Sequence, residues 1–164
     1  MRDPKQPPRQ EFERKFLVLK RFLPKRMPKA TRIEQGYLRT SPIQERVRIF
    51  NGTRAVFEIK GPRNFESDAL PLPVAQARYL LDQYREEGTG LILKDRHELA
   101  SAWRDLVWEV DFFRGRHRGL VIAEIEIPRL GMRLDRKKFP LWIGEEVTDN
   151  PHYKNKNLAK LPRS

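Results

Sequence analysis

The sequence predicts an α+β fold: an eight-stranded antiparallel β-barrel, a tunnel with a charged interior, flanked by a few helices. Three observations predict it. Charged and bulky apolar residues alternate in short runs along most of the chain, the period of strands with two different faces. Several of these runs are separated by short turn signals, which pair consecutive strands antiparallel. About eight such runs occur, enough to close a sheet into a barrel and remove its edges.

Met1 to Gln10 carries three prolines and no aliphatic residue beyond Met1, and is expected to be a disordered basic tail, with a single domain over 11–164. The first strand runs from about Glu11 to Lys20. Alternation puts Glu11, Glu13 and Lys15 on one face and Phe12, Arg14 and Phe16 on the other. Arg21 to Arg32, with Pro24 and Pro28, reads as an irregular connection or short helix. Ile33 to Thr40 has strand composition and is broken by Ser41-Pro42. In Glu45 to Phe50, Arg46 and Arg48 share a face opposite Val47 and Ile49. Asn51-Gly52 is a hairpin turn signal, and its partner strand, Arg54 to Gly61, places Glu58 and Lys60 together. Glu66 and Asp68 follow in a loop.

Pro71 and Pro73 then stand where a helix start tolerates them. Val74, Ala77, Leu80, Leu81 and Tyr84 recur at helical spacing, with Gly88 at the stop. Leu91 to Leu99 puts Lys94 and Arg96 on one face. Val107 to Phe113 does the same with Glu109 and Asp111, against Trp108, Val110 and Phe112. Val121 to Ile127 sets Glu124 and Glu126 against Ala123, Ile125 and Ile127. Pro128 to Phe139 is strongly basic. Trp142 to Gly144 and Glu146 to Thr148 precede Asn150-Pro151, an N-cap followed by proline at the first helical position, which predicts a closing helix to about Leu161.

Composition narrows the function. At 38% hydrophobic and 10% aromatic residues the 164-residue chain carries enough for one sizeable core. No apolar run is long enough to span a membrane, no secretory h-region is present, and no cysteine occurs, which fits the cytosol. His97, His117 and His152 form no zinc-ligand spacing. The net charge of +12 implies a polyanionic partner, although residues 1–30 hold ten Lys/Arg against three Asp/Glu. Nucleic acid is therefore expected to engage the basic tail only.

The charges are segregated by strand. Glu11/Glu13, Glu109/Asp111 and Glu124/Glu126 bring carboxylates, while Arg46/Arg48 and Lys94/Arg96 bring only cations. Two carboxylates about 7 Å apart along one strand suit a hard divalent cation. Charges converging on one lumen need counter-charge, because like carboxylates repel and unpaired buried charges cost several kcal/mol each. A divalent metal on the acidic side and a phosphate chain on the basic side supply it, the arrangement phosphoryl transfer requires. No Walker loop or Gly-rich nucleotide fingerprint is present, so phosphate binding falls to side chains. Trp103, Trp108, Trp142 and Tyr37 are expected to pack rather than stack on substrate.

These strands resemble the CYTH domain, or triphosphate tunnel metalloenzyme, family. The resemblance rests on Glu11-x-Glu13-x-Lys15, Gln35-Gly36-Tyr37-Leu38, Arg46-Val47-Arg48-Ile49, Ile59-Lys60-Gly61 and Lys94-Asp95-Arg96-His97. It continues through Trp108-Glu109-Val110-Asp111, the run Gly119 to Glu126, Glu146-Val147-Thr148 and Tyr153-Lys154-Asn155, all in family order. It implies a metal-dependent triphosphatase that uses Mg²⁺ or Mn²⁺ to remove the terminal phosphate of inorganic triphosphate or another compact triphosphate. Carried over, the metal ligands would be Glu11, Glu13, Asp111, Glu124 and Glu126. The phosphates would be held by Lys15, Arg46, Arg48, Lys60, Lys94 and Arg96, with Lys15, Arg48, Lys60 and Asp111 catalytic and Glu109 assisting. Glu58 departs from the pattern, since family members more often carry a small hydroxyl residue two before the strand lysine. The alternatives are an adenylate cyclase of the same family and a non-catalytic module for polyphosphate or nucleic acid. A lumen crowded with cations would relax when Arg48 or Arg96 is removed, so those substitutions are expected to leave stability almost unchanged.

Overall fold

The computed structural model describes residues 9–162 except 11 and 64, with nothing said of the Arg9 side chain. Among them the chain forms β1 (Arg9–Gln10), β2 (Phe12–Val18), β3 (Thr31–Arg39), β4 (Gln44–Phe50), β5 (Arg54–Lys60), β6 (Phe65–Glu66), β7 (Leu70–Leu72) and α1 (Val74–Gln83). There follow β8 (Ile92–Ala100), β9 (Val107–Phe113), β10 (Val121–Ile127), β11 (Ile143–Glu146) and α2 (Asn155–Leu158). Every pairing is antiparallel, in the order β1-β6-β5-β4-β3-β8-β9-β10-β2-β11, with β7 added beside β5.

The α+β class is therefore as expected, and eight of the strands correspond to the eight read from alternation. Closure is not. The hydrogen-bonded path ends at β1 and at β11, so the sheet is open rather than an established barrel. The ladder is thinnest at β6, which meets β5 through the single pair Lys60↔Glu66. Three short strands went unread because two or three residues cannot display a period. Of these, β1 occupies Arg9–Gln10, which the sequence had assigned to the tail. Met1–Pro8, the rest of that expected tail, lie outside the described residues.

Turns follow their residues. Asn51 and Gly52 both adopt positive φ, +51° and +70°, at the centre of a turn closed by the Thr53 N–H donating to the Phe50 carbonyl, within a three-residue loop between the paired Phe50 and Arg54. The closing helix differs from expectation. Asn150 does cap, its side chain accepting from the His152 N–H, but only a 3₁₀ turn over Pro151–Tyr153 follows. Lys154 is extended, and the Asn157 side chain donates to the Pro151 carbonyl at 2.7 Å, holding the break before α2.

The outer face of the sheet is covered in two places. Phe16, Trp108, Val110, Ala123 and Ile125 pack under the 128–143 segment, where Leu134, Phe139 and Trp142 close over them. Trp108 is the centre of this cluster, with Phe16, Phe139, Trp142 and Trp103 rings edge-on at 5.6 to 6.4 Å. Val47, Ile49 and Ala55 pack under α1 through Ala77 and Leu81. The three tryptophans thus serve packing. The inner face changes character along each strand: Lys15 gives way to Leu17, Glu124 to Ile122, Asp111 to Phe113 and Lys94 to Ile92. At that apolar end Ile92, Phe113 and Ile122 meet Leu158 and Ala159, so α2 seals it. No helix among the described residues is long and apolar enough to cross a membrane.

Candidate functional site

Strand alternation aims the charged side chains of seven strands at the same inner face, and register decides which of them meet. Glu124 lies opposite Lys15 on β2 and opposite Glu109 on β9. Asp111 lies opposite Arg96, and Arg46 lies opposite Glu58. Two ionic clusters result, the first joining residues more than a hundred positions apart in sequence and the second residues within 20 positions of one another.

In the first, Lys15 Nζ donates to Glu124 Oε1 at 2.6 Å and lies 3.1 Å from Glu13 Oε1. Arg96 donates through Nε to Asp111 Oδ1 at 2.7 Å and through Nη2 to Asp111 Oδ2 at 2.6 Å, with Glu124 Oε2 at 3.1 Å and Glu109 beside Nη1. Lys94 Nζ, almost fully buried, reaches Asp111 Oδ2 at 2.6 Å. In the second cluster, Arg46 donates to Glu58 at 3.2 and 3.3 Å and to Glu66 at 2.8 Å. Arg48 forks onto Glu58 at 2.5 and 2.8 Å, and Lys60 lies 3.1 Å from Glu66.

This pairing tunes the charges. Burial opposes ionisation of Glu124, but Lys15, Lys94 and Arg96 outweigh it and hold the carboxyl well below the usual range. Glu58 is likewise held low: burial pushes it up, and Arg46 and Arg48 more than compensate. Burial also opposes the Lys15 charge, yet the Glu124 and Glu13 carboxylates raise it above the ordinary lysine value. For Lys94 burial prevails over Asp111 and lowers it. Burial dominates Glu109 too and raises it. Burial pushes Tyr37 up to about 12, against the nearby cations, with Gln35 Nε2 donating to its hydroxyl at 2.8 Å.

A cavity of about 700 Å³ opens beside these clusters. Lys15, Arg46 and Lys60, from three different strands, reach its wall together with Glu13, Tyr37 and Glu66. Arg48, Lys94 and Arg96 do not line it; they stand behind, held by Glu58, Asp111 and Glu109. The expected phosphate-binding set is therefore split into a group that reaches the cavity wall and a group behind it, and both are held by carboxylates. The cavity also takes in Arg133, Lys154 and Lys156, which the sequence reading had not assigned. Lys154 belongs to a motif already quoted, but its side chain's direction follows from the broken helix and not from spacing. Glu66, read as a loop residue, proves to lie in β6, 5% exposed and bonded to Arg46.

The carboxylates assigned to metal fare unevenly. Asp111 is fully buried with both oxygens taken by Lys94 and Arg96, so it anchors those cations in place of facing a ligand. Glu124 is similarly occupied by Lys15 and Arg96. Glu13 is more open, with a side chain 40% exposed, and Glu126, also exposed, is its direct partner across β2 and β10. Glu11 lies outside the described residues. Among the described residues no three His, Asp or Glu side chains gather where a cation would sit. The donors that do oppose each other are carboxylates, the hard oxygen ligands that Mg²⁺ and Mn²⁺ take. In chemistry, Glu13 and Glu126 fit such an ion.

The expected tolerance of Arg48 and Arg96 to substitution also fails on this geometry. The cations are interleaved with carboxylates, so removing Arg96 does not relieve repulsion; it takes a partner from each of three carboxylates, leaving Asp111 to Lys94 and Glu124 to Lys15.

An antiparallel sheet whose inner face lines a cavity with lysine, arginine and carboxylate defines a class of protein suited to small, highly charged anions. Its relatives are specific. An inorganic triphosphatase of Acetivibrio thermocellus is 36% identical over 156 residues, covering 93% of this chain and 94% of that protein. Another, from Nitrosomonas europaea, is 28% identical over 153 residues, covering 91% and 96%. A solved structure described as an inorganic triphosphatase superposes with a TM-score of 0.64 at 30% identity, over 94% of this chain and 97% of that one. The chain belongs to the inorganic triphosphatase family. Comparison with protein-family models gives no match.

Proposed function

We propose that the protein is a phosphoanhydride hydrolase of the CYTH type that removes the terminal phosphate of inorganic triphosphate with the help of Mg²⁺ or Mn²⁺. One observation carries the reading: Lys15, Arg46 and Lys60 converge from separate strands on one cavity whose wall also bears Glu13. A compact triphosphate needs several cations around one small volume, and these three provide the front of that set. Arg48 and Arg96 complete it from behind once substrate charge competes with their carboxylates. The two relatives named inorganic triphosphatase support the same substrate.

The roles divide accordingly. Lys15, Arg46 and Lys60 bind and orient the phosphate chain, and the phosphoryl oxygens that gain charge in the transition state face fixed ammonium and guanidinium groups. Lys94 and Asp111 hold Arg96 in position. Glu13 and Glu126, with Glu11 two residues earlier in the sequence, would hold the metal, which when bound supplies Lewis acidity toward the phosphoryl oxygens. Apolar packing of Leu158 against Ile92, Phe113 and Ile122 excludes water from the far end. A tunnel is supported by the chain itself: Arg9–Gln10 at one end of the sheet path and Phe12–Val18 near the other are separated by a single residue.

Phosphate release is the test, measured with tripolyphosphate, ATP, thiamine triphosphate and long-chain polyphosphate, each with Mg²⁺, with Mn²⁺ and with chelator. The expected result is preferential tripolyphosphate hydrolysis that chelator abolishes, and that Glu13→Gln loses even in excess metal. Undiminished turnover in chelator would remove the metal from the scheme. Binding of polyphosphate without turnover of any substrate would make the protein a polyanion-binding module.

A further inference from the structure

Glu58 is a buried carboxylate that the phosphate grip does not call for. It is 4% exposed on β5, directly opposite Arg46 and on the same face as Arg48. Its Oε2 accepts from Arg46 Nε and Nη2 at 3.3 and 3.2 Å and from Arg48 Nε at 2.8 Å, while Oε1 accepts from Arg48 Nη2 at 2.5 Å. A carboxylate in this fork geometry occupies two guanidiniums much as a phosphoryl group does. It uses Nε and Nη2 of both arginines, and their Nη1 sides take no part in these contacts. Being fixed to a strand, it cannot leave when substrate arrives.

We propose that Glu58 is a specificity-determining positioning residue, a built-in counter-anion that aims Arg46 and Arg48 and weakens their hold on phosphate so that product can leave. This rests on the triphosphatase reading and deepens it. Two arginines with no internal partner would bind any phosphate tightly, product as well as substrate. Glu58 is the carboxylate the two arginines share, beside Glu66 on Arg46 alone, and a phosphoryl group bound between them lies close to its fixed negative charge. Like-charge juxtaposition of this kind is costly. A tripolyphosphate also engages Lys15 and Lys60 and withstands the loss. Pyrophosphate or orthophosphate, spanning fewer cations, is released.

Glu58→Gln tests this, since the amide keeps the shape and an acceptor oxygen while removing the charge. Tripolyphosphate and pyrophosphate binding is measured by calorimetry in the full-length protein, and hydrolysis with pyrophosphate inhibition by steady-state kinetics. The expected result is pyrophosphate binding and inhibition roughly tenfold tighter, a change of one tenfold step in affinity, with KM for tripolyphosphate lower and kcat reduced by slow release. Glu58→Asp, which restores the charge, should return both constants toward the parent values. A merely structural Glu58 also lowers kcat but predicts KM raised and product inhibition unchanged or weaker. That pattern in either Glu58→Gln or the smaller Glu58→Thr overturns the proposal. If the parent protein binds neither anion, the triphosphatase reading falls and this inference with it. Parent binding with unaltered constants in the variants removes only the role of Glu58.

Discussion

Arg96 and Arg48 look alike in sequence and differ in what they hold. Arg96 is bonded to three carboxylates, one fully buried, whereas Arg48 shares Glu58 with Arg46. Breaking a buried pair by deleting one partner costs about 3–5 kcal/mol, and Arg96→Ala should lose stability on that order in chemical denaturation. Arg48→Ala leaves Glu58 with a remaining partner and should cost less, about 1–3 kcal/mol. Both should lower kcat/KM by roughly ten- to a thousandfold, the range for losing a desolvated phosphate contact. Equal stability of the two variants would contradict the carboxylate network around Arg96. The same network fixes a pH response. Glu58 and Glu124 have folded-state values below the ordinary carboxylate range. Their contribution is therefore complete above the unfolded value of about 4.3 and drains away as pH falls through the folded values. Glu109 is raised and acts in the opposite sense, its contribution present at low pH and lost as pH rises through its folded value. Two buried acids outweigh one partly exposed one. The denaturation midpoint should hold steady down to about pH 5 and fall below about pH 4.3, and Glu124→Gln should flatten that fall.

At the scale of elements, β2 shows how far the sequence could be read and where reading stopped. Alternation assigned Lys15 and Glu13 to one face and Phe16 to the other, and both assignments hold: Lys15 reaches the cavity and Phe16 packs on Trp108. Period 2 in a strand is dictated by the backbone and survives any tertiary context. What alternation cannot give is register. Whether Glu124 faces a metal or the Lys15 ammonium depends on a pairing formed across more than a hundred residues, and no local pattern encodes it. The carboxylates were thus found, while their engagement by lysine and arginine was not. Helix reading failed for a different reason. Asn150 and Pro151 are good start signals, but nothing local announces that Asn157 will hold the Pro151 carbonyl and break the helix at Lys154. The short α2 that results still seals the apolar end through Leu158. Leu158→Ala should cost about 2–5 kcal/mol, as other large-to-small core substitutions do, and should raise amide exchange at Ile92 and Ile122 before exchange elsewhere. Uniform exchange increases across the sheet would mean that α2 is not a separate closure.

For the molecule as a whole, the open path and the adjacency of β1 to β2 make a boundary prediction. A chain beginning at Arg9 should match the parent in melting temperature and triphosphate KM. One beginning at Phe12 loses the Arg9↔Glu66 and Gln10↔Phe65 pairs, and should melt lower with KM raised, because Glu66 holds Arg46 at the cavity wall. Identical behaviour of the two would show that β1 is dispensable. The strand order carries one more consequence, for synthesis on the ribosome. The strand β2 is made before every other long strand described, yet its neighbours in the sheet are β10 and β11. Arg14 waits 132 residues for Glu146, and Lys15 waits 109 for Glu124. At typical elongation rates that is an interval of about ten seconds, during which Phe12 and Phe16 have no sheet to join. Contacts so distant along the chain also form slowly once the partners exist. The nascent protein therefore emerges with its charged inner face unbuilt, and the residues of β2 are among the last to find their places.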